Sequence, residues 1–300
     1  AYNRAGLAND SLPVASFVGQ PPCTPDQAFE LQVYALIPNS SESASVTKIP
    51  ATDDMPAARI IEIGGYRHFY ARGITGDGYT FRSQSDTMFA KAAAMMSDHR
   101  CKFQDVLRSW YYLPDIDRDY DEFNRSRNQF FRDEQVTRLP AATGICGSLP
   151  ARKQCGMDLH ALLNPAGATI EVMRTPTLNE APEYGSAFSR GMKLGLPGKT
   201  VLFISGTASV DEQGETAHVG DARRQIERML LNIQQLLAPH DATFANLVQV
   251  ISYLKTSDYL PMFREILNEW GLVNLPNSIV EANVCRPDLL VEMEAIAILP

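Results

Sequence analysis

Apolar residues along the second half of the chain follow two different rhythms. Residues 200–210 form an apolar run ending in Ser205-Gly206-Thr207-Ala208, which predicts a strand. After Gly220-Asp221 the spacing changes, and Ile226, Met229, Leu230, Ile233, Leu236 and Leu237 fall on one stripe of a helix. Residues 247–254 predict another strand. A second helix opens at Ser257, carries Phe263, Ile266, Leu267 and Trp270, and stops at Gly271. Residues 278–285 and 289–299 predict two closing strands.

The first half runs in the same order. Residues 66–72 read as a strand reaching Gly73, 85–96 as an Ala/Met-rich helix, 106–113 as a strand and 120–131 as a helix. Leu139-Pro140 then parallels Leu275-Pro276, Tyr112-Leu113 parallels Tyr253-Leu254, and Met157-Asp158-Leu159 parallels Val291-Glu292-Met293. A chain written twice predicts an α+β protein of two tandem units, each a mixed β-sheet covered on one face by two helices. The units are expected at residues 1–163 and 164–300. The Pro-, Asn- and Thr-rich stretch 164–182 serves as connector, with a short strand at 168–173. Residues 11–54 read as an irregular arm with a short strand near 29–36.

The 300 residues are 45% hydrophobic and 21% charged, the mix of an ordinary globular protein. A net charge of −8 argues against nucleic acid or an anionic membrane surface as partner. No apolar run is long enough to span a bilayer, and the opening 22 residues lack the layout of a secretory signal. Cys23, Cys101, Cys146, Cys155 and Cys285 show no CxxC spacing and read as reduced thiols of a cytoplasmic protein. The five histidines are scattered, so neither a metal site nor a cofactor is expected.

Two positions break the apolar pattern. Glu292 and Glu294 lie two apart in an apolar strand, so period two puts them on one face. That face is either a solvent-facing edge, which costs nothing, or the wall of a cleft, where burial raises a carboxyl pKa toward neutrality. Arg108 shares a predicted face with Val106, Trp110 and Tyr112, and a guanidinium there needs an anion. An internal Asp or Glu would serve, as would the carboxylate of a ligand. Arg190, on a predicted strand at 186–194, is a second candidate cation, with a surface-facing position as the alternative.

The second half resembles the YjgF-like reactive-intermediate deaminases, through Phe188-Ser189-Arg190, Leu202-Phe203-Ile204-Ser205-Gly206 and residues 291–297. The fuller resemblance, over most of residues 60–300, is to the chorismatases, which carry a divergent YjgF-like unit ahead of the C-terminal one. The matching stretches are Arg108-Ser109-Trp110-Tyr111-Tyr112-Leu113, Phe123-Asn124-Arg125, residues 139–145 and residues 184–190. The deaminases place an arginine shortly after the proline matching Pro276, whereas this chain has Asn277 and Ser278 there. The chorismatase resemblance implies cleavage of chorismate to pyruvate and a hydroxybenzoate, with 3-hydroxybenzoate foremost and 4-hydroxybenzoate alongside. Hydrolysis to pyruvate and a dihydroxycyclohexadiene carboxylate, or imine deamination, are the alternatives. It implies Glu292 as general acid and Glu294 as structural. Arg108 and Arg190 would hold the two carboxylates, and Tyr184 and Phe188 would wall the ring unless they are simple core. Cys285 matches a pocket position whose identity goes with hydroxybenzoate formation, and Ala208 is compatible with the hydrolytic type. A homotrimer is also expected by resemblance.

Overall fold

The computed structural model describes residues 13–35, 44–50 and 56–300, apart from the side chains of Pro50, Pro56 and Tyr184. The first sheet contains β1 (Ala44–Pro50), β2 (Pro56–Ile63), β3 (Tyr66–Thr75), β4 (Val106–Leu113), β5 (Ala141–Cys146) and β6 (Gly156–Leu162), in the order β1-β2-β3-β6-β4-β5. The second contains β7 (Thr169–Val172), β8 (Gly191–Leu196), β9 (Lys199–Ala208), β10 (Leu247–Leu254), β11 (Asn277–Glu281) and β12 (Val291–Leu299), in the order β11-β10-β12-β9-β8-β7. Each sheet has one parallel pair, β4 with β5 and β10 with β11, at corresponding places.

Helices α1 (Phe81–Ser97) and α2 (Ile116–Asp133) cover the outer face of the first sheet. Helices α3 (Ala222–Leu237) and α4 (Leu260–Glu269) cover the second. Side chains cap the exposed N–H groups at the starts of three of them: Thr80 for α1, Asp115 for α2 and Asp221 for α3. The stripe foreseen on α3 is the buried one, from Ile226 to Leu237.

The helix-free faces turn toward each other. Leu107, Leu162, Phe203, Met192 and Ile296 form an apolar cluster drawn from both sheets. Strand β5, an edge of the first sheet, is tied to the second. Ser205 Oγ accepts from the Ala142 N–H at 2.9 Å, Thr143 Oγ1 accepts from the Gly206 N–H at 3.0 Å, and Ala141 bridges Ser189.

Four local expectations are corrected. The arm has no strand over 29–35, and residue 36 lies outside the described residues. There Phe29, Leu31 and Val33 alternate into solvent, and Gln32 meets β10 through side-chain bonds with Val250 and Gln249. The hairpin β1–β2 was not foreseen. Arg190 sits just ahead of β8 rather than within it. A register shift between Val106 and Arg108 turns Val106 to the helices, so it does not share the face of Arg108.

Candidate active site

Glu292 and Glu294 do share a face, and that face is interior. Each residue is 4% exposed. In register, Glu292 lies opposite Ala208 on β9 and Tyr253 on β10. Between Met293 and Ala295 the pairing with β9 slips, so Ser205 and Gly206 together face Glu294. This bulge puts Gly206 under the Glu292 carboxyl. A β-carbon built there would stand 2.0 Å from Glu292 Oε1 and 3.1 Å from Thr143 Cγ2.

The two carboxyls have different surroundings. Glu294 is fully engaged: it accepts from Arg108 Nη2 at 2.8 Å and from Trp110 Nε1 at 2.7 Å. Arg108 also donates to Thr143 Oγ1, and its guanidinium lies 4.8 Å from the Trp110 ring centroid. The internal partner allowed for Arg108 is therefore present. The pair is a clasp by position, joining β4 of one unit to β12 of the other, and removing one partner alone would cost about 3–5 kcal/mol by stranding the other charge. Arg108 Nη1 is left buried without a hydrogen-bond partner among the described residues.

Glu292 receives no comparable help among the described residues. Burial pushes its carboxyl up to about 8, and the charge of Glu294 adds to the rise. Arg108 and Arg190 pull the other way without cancelling it. At neutral pH the side chain is mostly a neutral acid, able to give a proton.

Arg190 is buried and fixed in plane by Asn179, whose backbone carbonyl accepts from Nε at 2.8 Å and whose Oδ1 accepts from Nη2 at 3.0 Å. Its guanidinium lies 5.7 Å from the centroid of Phe188, a buried ring. Cys285 is half-buried where the two helix-side cores meet. Burial pushes its thiol up to about 12, the charge on Glu292 adds to this, and Arg286, Arg190 and a hydrogen bond with Tyr120 oppose it. The thiol is therefore neutral and close enough to Glu292 to sense its charge. Glu292, Cys285, Arg190, Phe188 and Ala208 fall in one neighbourhood, while Arg108 reaches it from the clasp. The Tyr184 side chain lies outside the described residues. Two surface clefts, about 370 and 270 Å³, lie elsewhere, at residues 22–27 with 257–261 and around Arg118 and Lys153.

One residue of this neighbourhood escaped the sequence reading. Arg127 on α2 is 1% exposed, yet no acidic side chain pairs with it among the described residues. Its Nη2 donates to Asn124 Oδ1 at 2.6 Å, and its Nε is buried without a partner. The rings of Phe123, Tyr111 and Phe188 lie 5.0, 5.7 and 5.8 Å from it. Burying an unpaired guanidinium costs several kcal/mol, and each ring returns roughly 0.5–2 kcal/mol, so the cost is only partly offset. The signal was present in the stripe Phe123, Arg127, Phe131, four residues apart on the apolar face of a helix.

Residues 60–154 match the family model described as chorismatase FkbO/Hyg5-like, N-terminal, and residues 178–299 match endoribonuclease L-PSP. A 3-hydroxybenzoate synthase of Streptomyces hygroscopicus is 30% identical over 226 residues, or 65% of this chain and 64% of that protein. The chain thus spans under two thirds of that relative. A RutC family protein of Pyrococcus abyssi is 29% identical over 39% of this chain and 91% of its own length. A chorismatase crystal structure shares the fold, with a TM-score of 0.66 over 80% of this chain and 77% of that one, at 22% identity.

Proposed function

We propose that this chain is a member of the chorismatase family and that it cleaves chorismate to pyruvate and a hydroxybenzoate with Glu292 as the general acid. The observation that carries the reading is the neutral, buried Glu292 carboxyl beside two arginines. An acid of this strength can protonate the vinyl methylene of the enolpyruvyl ether and still be recharged near neutral pH. Protonation leaves an oxocarbenium carbon, and Arg190 holds a carboxylate so that the reacting groups start close to the required geometry.

Two fates follow. The neighbouring ring hydroxyl can displace the side chain from its ring carbon, releasing pyruvate, after which the ring loses a proton and aromatises to the hydroxybenzoate. No water is consumed, and the proton lost restores Glu292. Alternatively, water adds to the oxocarbenium carbon, and the hemiketal collapses to pyruvate and the dihydroxycyclohexadiene carboxylate. The half-buried, neutral thiol of Cys285 and the name of the Streptomyces relative favour the first route, and 3-hydroxybenzoate as product. The small Ala208 opposite Glu292 goes with the second, since it leaves room for water. Phe188, with Tyr184, walls the ring in this reading. Arg108 contributes charge and Nη1 rather than a two-pronged clamp, because Nη2 is committed to Glu294 and Thr143.

The reading carries the division into units 1–163 and 164–300, the second bearing the acid. It also carries a homotrimeric, cytoplasmic enzyme that works without metal or cofactor. Incubation with chorismate and separation of the products tests it: pyruvate with one equivalent of hydroxybenzoate is expected. Unconsumed chorismate at high enzyme concentration would reject it.

A further inference from the structure

Strand β5 of the first unit holds both residues of the β9 bulge in the second, Ser205 through the Ala142 N–H and Gly206 through Thr143. We infer that Thr143 is a positioning residue for Glu292: one hydroxyl, supplied by the other unit, fixes both the bulge beneath the acid and the guanidinium that engages Glu294. The inference rests on the reading of Glu292 as the acid, and it adds a residue that acts through Glu292 without touching the reacting atoms.

The case is geometric. A bulge leaves part of its ladder unpaired and re-aims the side chains around it. Here the first unit supplies the missing partner, because the Gly206 N–H donates to Thr143 Oγ1 at 3.0 Å. The same oxygen accepts from Arg108 Nη2, the nitrogen that also donates to Glu294. A hydroxyl oxygen has two acceptor sites, so both are in use. The methyl of Thr143 lies on the other side of the same small space. Its Cγ2 is 3.1 Å from where a β-carbon on residue 206 would stand, and Glu292 Oε1 occupies that position. Thr143 is 1% exposed, so its loss would leave two buried donors without an acceptor rather than open to bulk water.

A residue that merely joined the two units would act through stability. Thr143→Val keeps the shape and the methyl contact but strands the Gly206 N–H and one N–H of Arg108, whereas Thr143→Ser keeps the hydroxyl. Thr143→Val should lower kcat for pyruvate release roughly 10-fold, about the worth of one hydrogen bond, with KM little changed, and Thr143→Ser should recover most of the loss. Leu162→Ala, which opens the apolar cluster between the sheets, should unfold earlier yet keep kcat. A second readout needs no turnover: the infrared band of the protonated Glu292 carboxyl, identified by its loss in Glu292→Gln and followed against pH. Glu294, Arg108, Arg190, Cys285 and Tyr253, the charged and titratable groups that face Glu292 or sense its charge, are the same residues throughout the Thr143 series. Stranded N–H donors favour the ionised carboxyl, so in Thr143→Val the band should fade at lower pH than in the wild type, and in Thr143→Ser it should not move. Should Thr143→Val fail to fold, Thr143→Cys, whose sulfur is a weak acceptor, carries the same expectations. An unmoved band, a kcat loss that Thr143→Ser does not recover, or an equal kcat loss in Leu162→Ala would overturn the assignment. A shifted band in a protein that leaves chorismate intact would sink the reaction and leave Thr143 as the residue that positions the carboxyl.

Discussion

The Glu292 carboxyl fills the space that a β-carbon on residue 206 would need, with Oε1 2.0 Å from that position. The acid's place is therefore set by the absence of a side chain on the neighbouring strand. Gly206→Ala should displace the carboxyl, because a side-chain tip yields more easily than the backbone of a bulge. Pyruvate release should fall roughly 100-fold, the usual effect of misplacing a reacting group by about an ångström. The midpoint of thermal unfolding should move only a few degrees. Unchanged turnover would show that the carboxyl's position over Gly206 does not matter to the chemistry.

Glu294 acts on Glu292 through its charge. Glu294→Gln removes that charge and leaves the Arg108 cation without its counter-ion. Both changes favour ionised Glu292, so its pKa must fall. The alkaline limb of the pH profile of kcat should move to lower pH, with the loss of rate largest above neutrality. A limb that stays in place, or moves up, would contradict the coupling.

The raised pKa of Glu292 has a consequence for stability. Its carboxyl ionises near 4.5 when unfolded and near 8 when folded. The folded state thus binds the extra proton, and the contribution of this group is complete below about 4.5 and lost as pH rises through 8. Glu292→Gln, which cannot ionise, should gain stability relative to the wild type across that window. The gain should be on the order of a few kcal/mol and level off above it. Denaturant unfolding of both proteins at a series of pH values measures the difference, and a constant difference would mean an ordinary pKa.

Cys285 should be slow to alkylate at pH 8, since its thiol is pushed up to about 12. Cys285→Ala should change the ratio of hydroxybenzoate to dihydroxycyclohexadiene carboxylate more than it changes total chorismate consumed. Chromatography of the products decides this, and an unaltered ratio would remove the thiol from the partitioning step.

Much of this was legible in the chain and some was not, for physical reasons. Strands β4, β9 and β10 and helix α3 bury one side against a core, so periodicity exposes them. Alternation at Phe29, Leu31 and Val33 misled, because period two marks an extended backbone and not a paired one. Period two correctly joined Glu292 to Glu294, but it could not reveal that Arg108, 186 residues away, claims only Glu294. His68 and His160, scattered in the chain, meet at 3.1 Å through neighbouring strands, again a product of sheet order. Arg127 was hidden because a helical arginine usually snorkels to water, and only packing shows that this one does not.

The most direct test of the central claim is pyruvate release from chorismate by Glu292→Gln beside the wild type, followed from pH 5 to 10. The substitution keeps the shape of the side chain and removes its proton. Turnover should fall at least roughly 100-fold, and the wild-type rate should decline as pH rises through about 8, with that limb absent from the residual activity of the variant. Near-wild-type turnover by the variant, or a wild-type rate indifferent to pH across that range, would mean that Glu292 is not the acid.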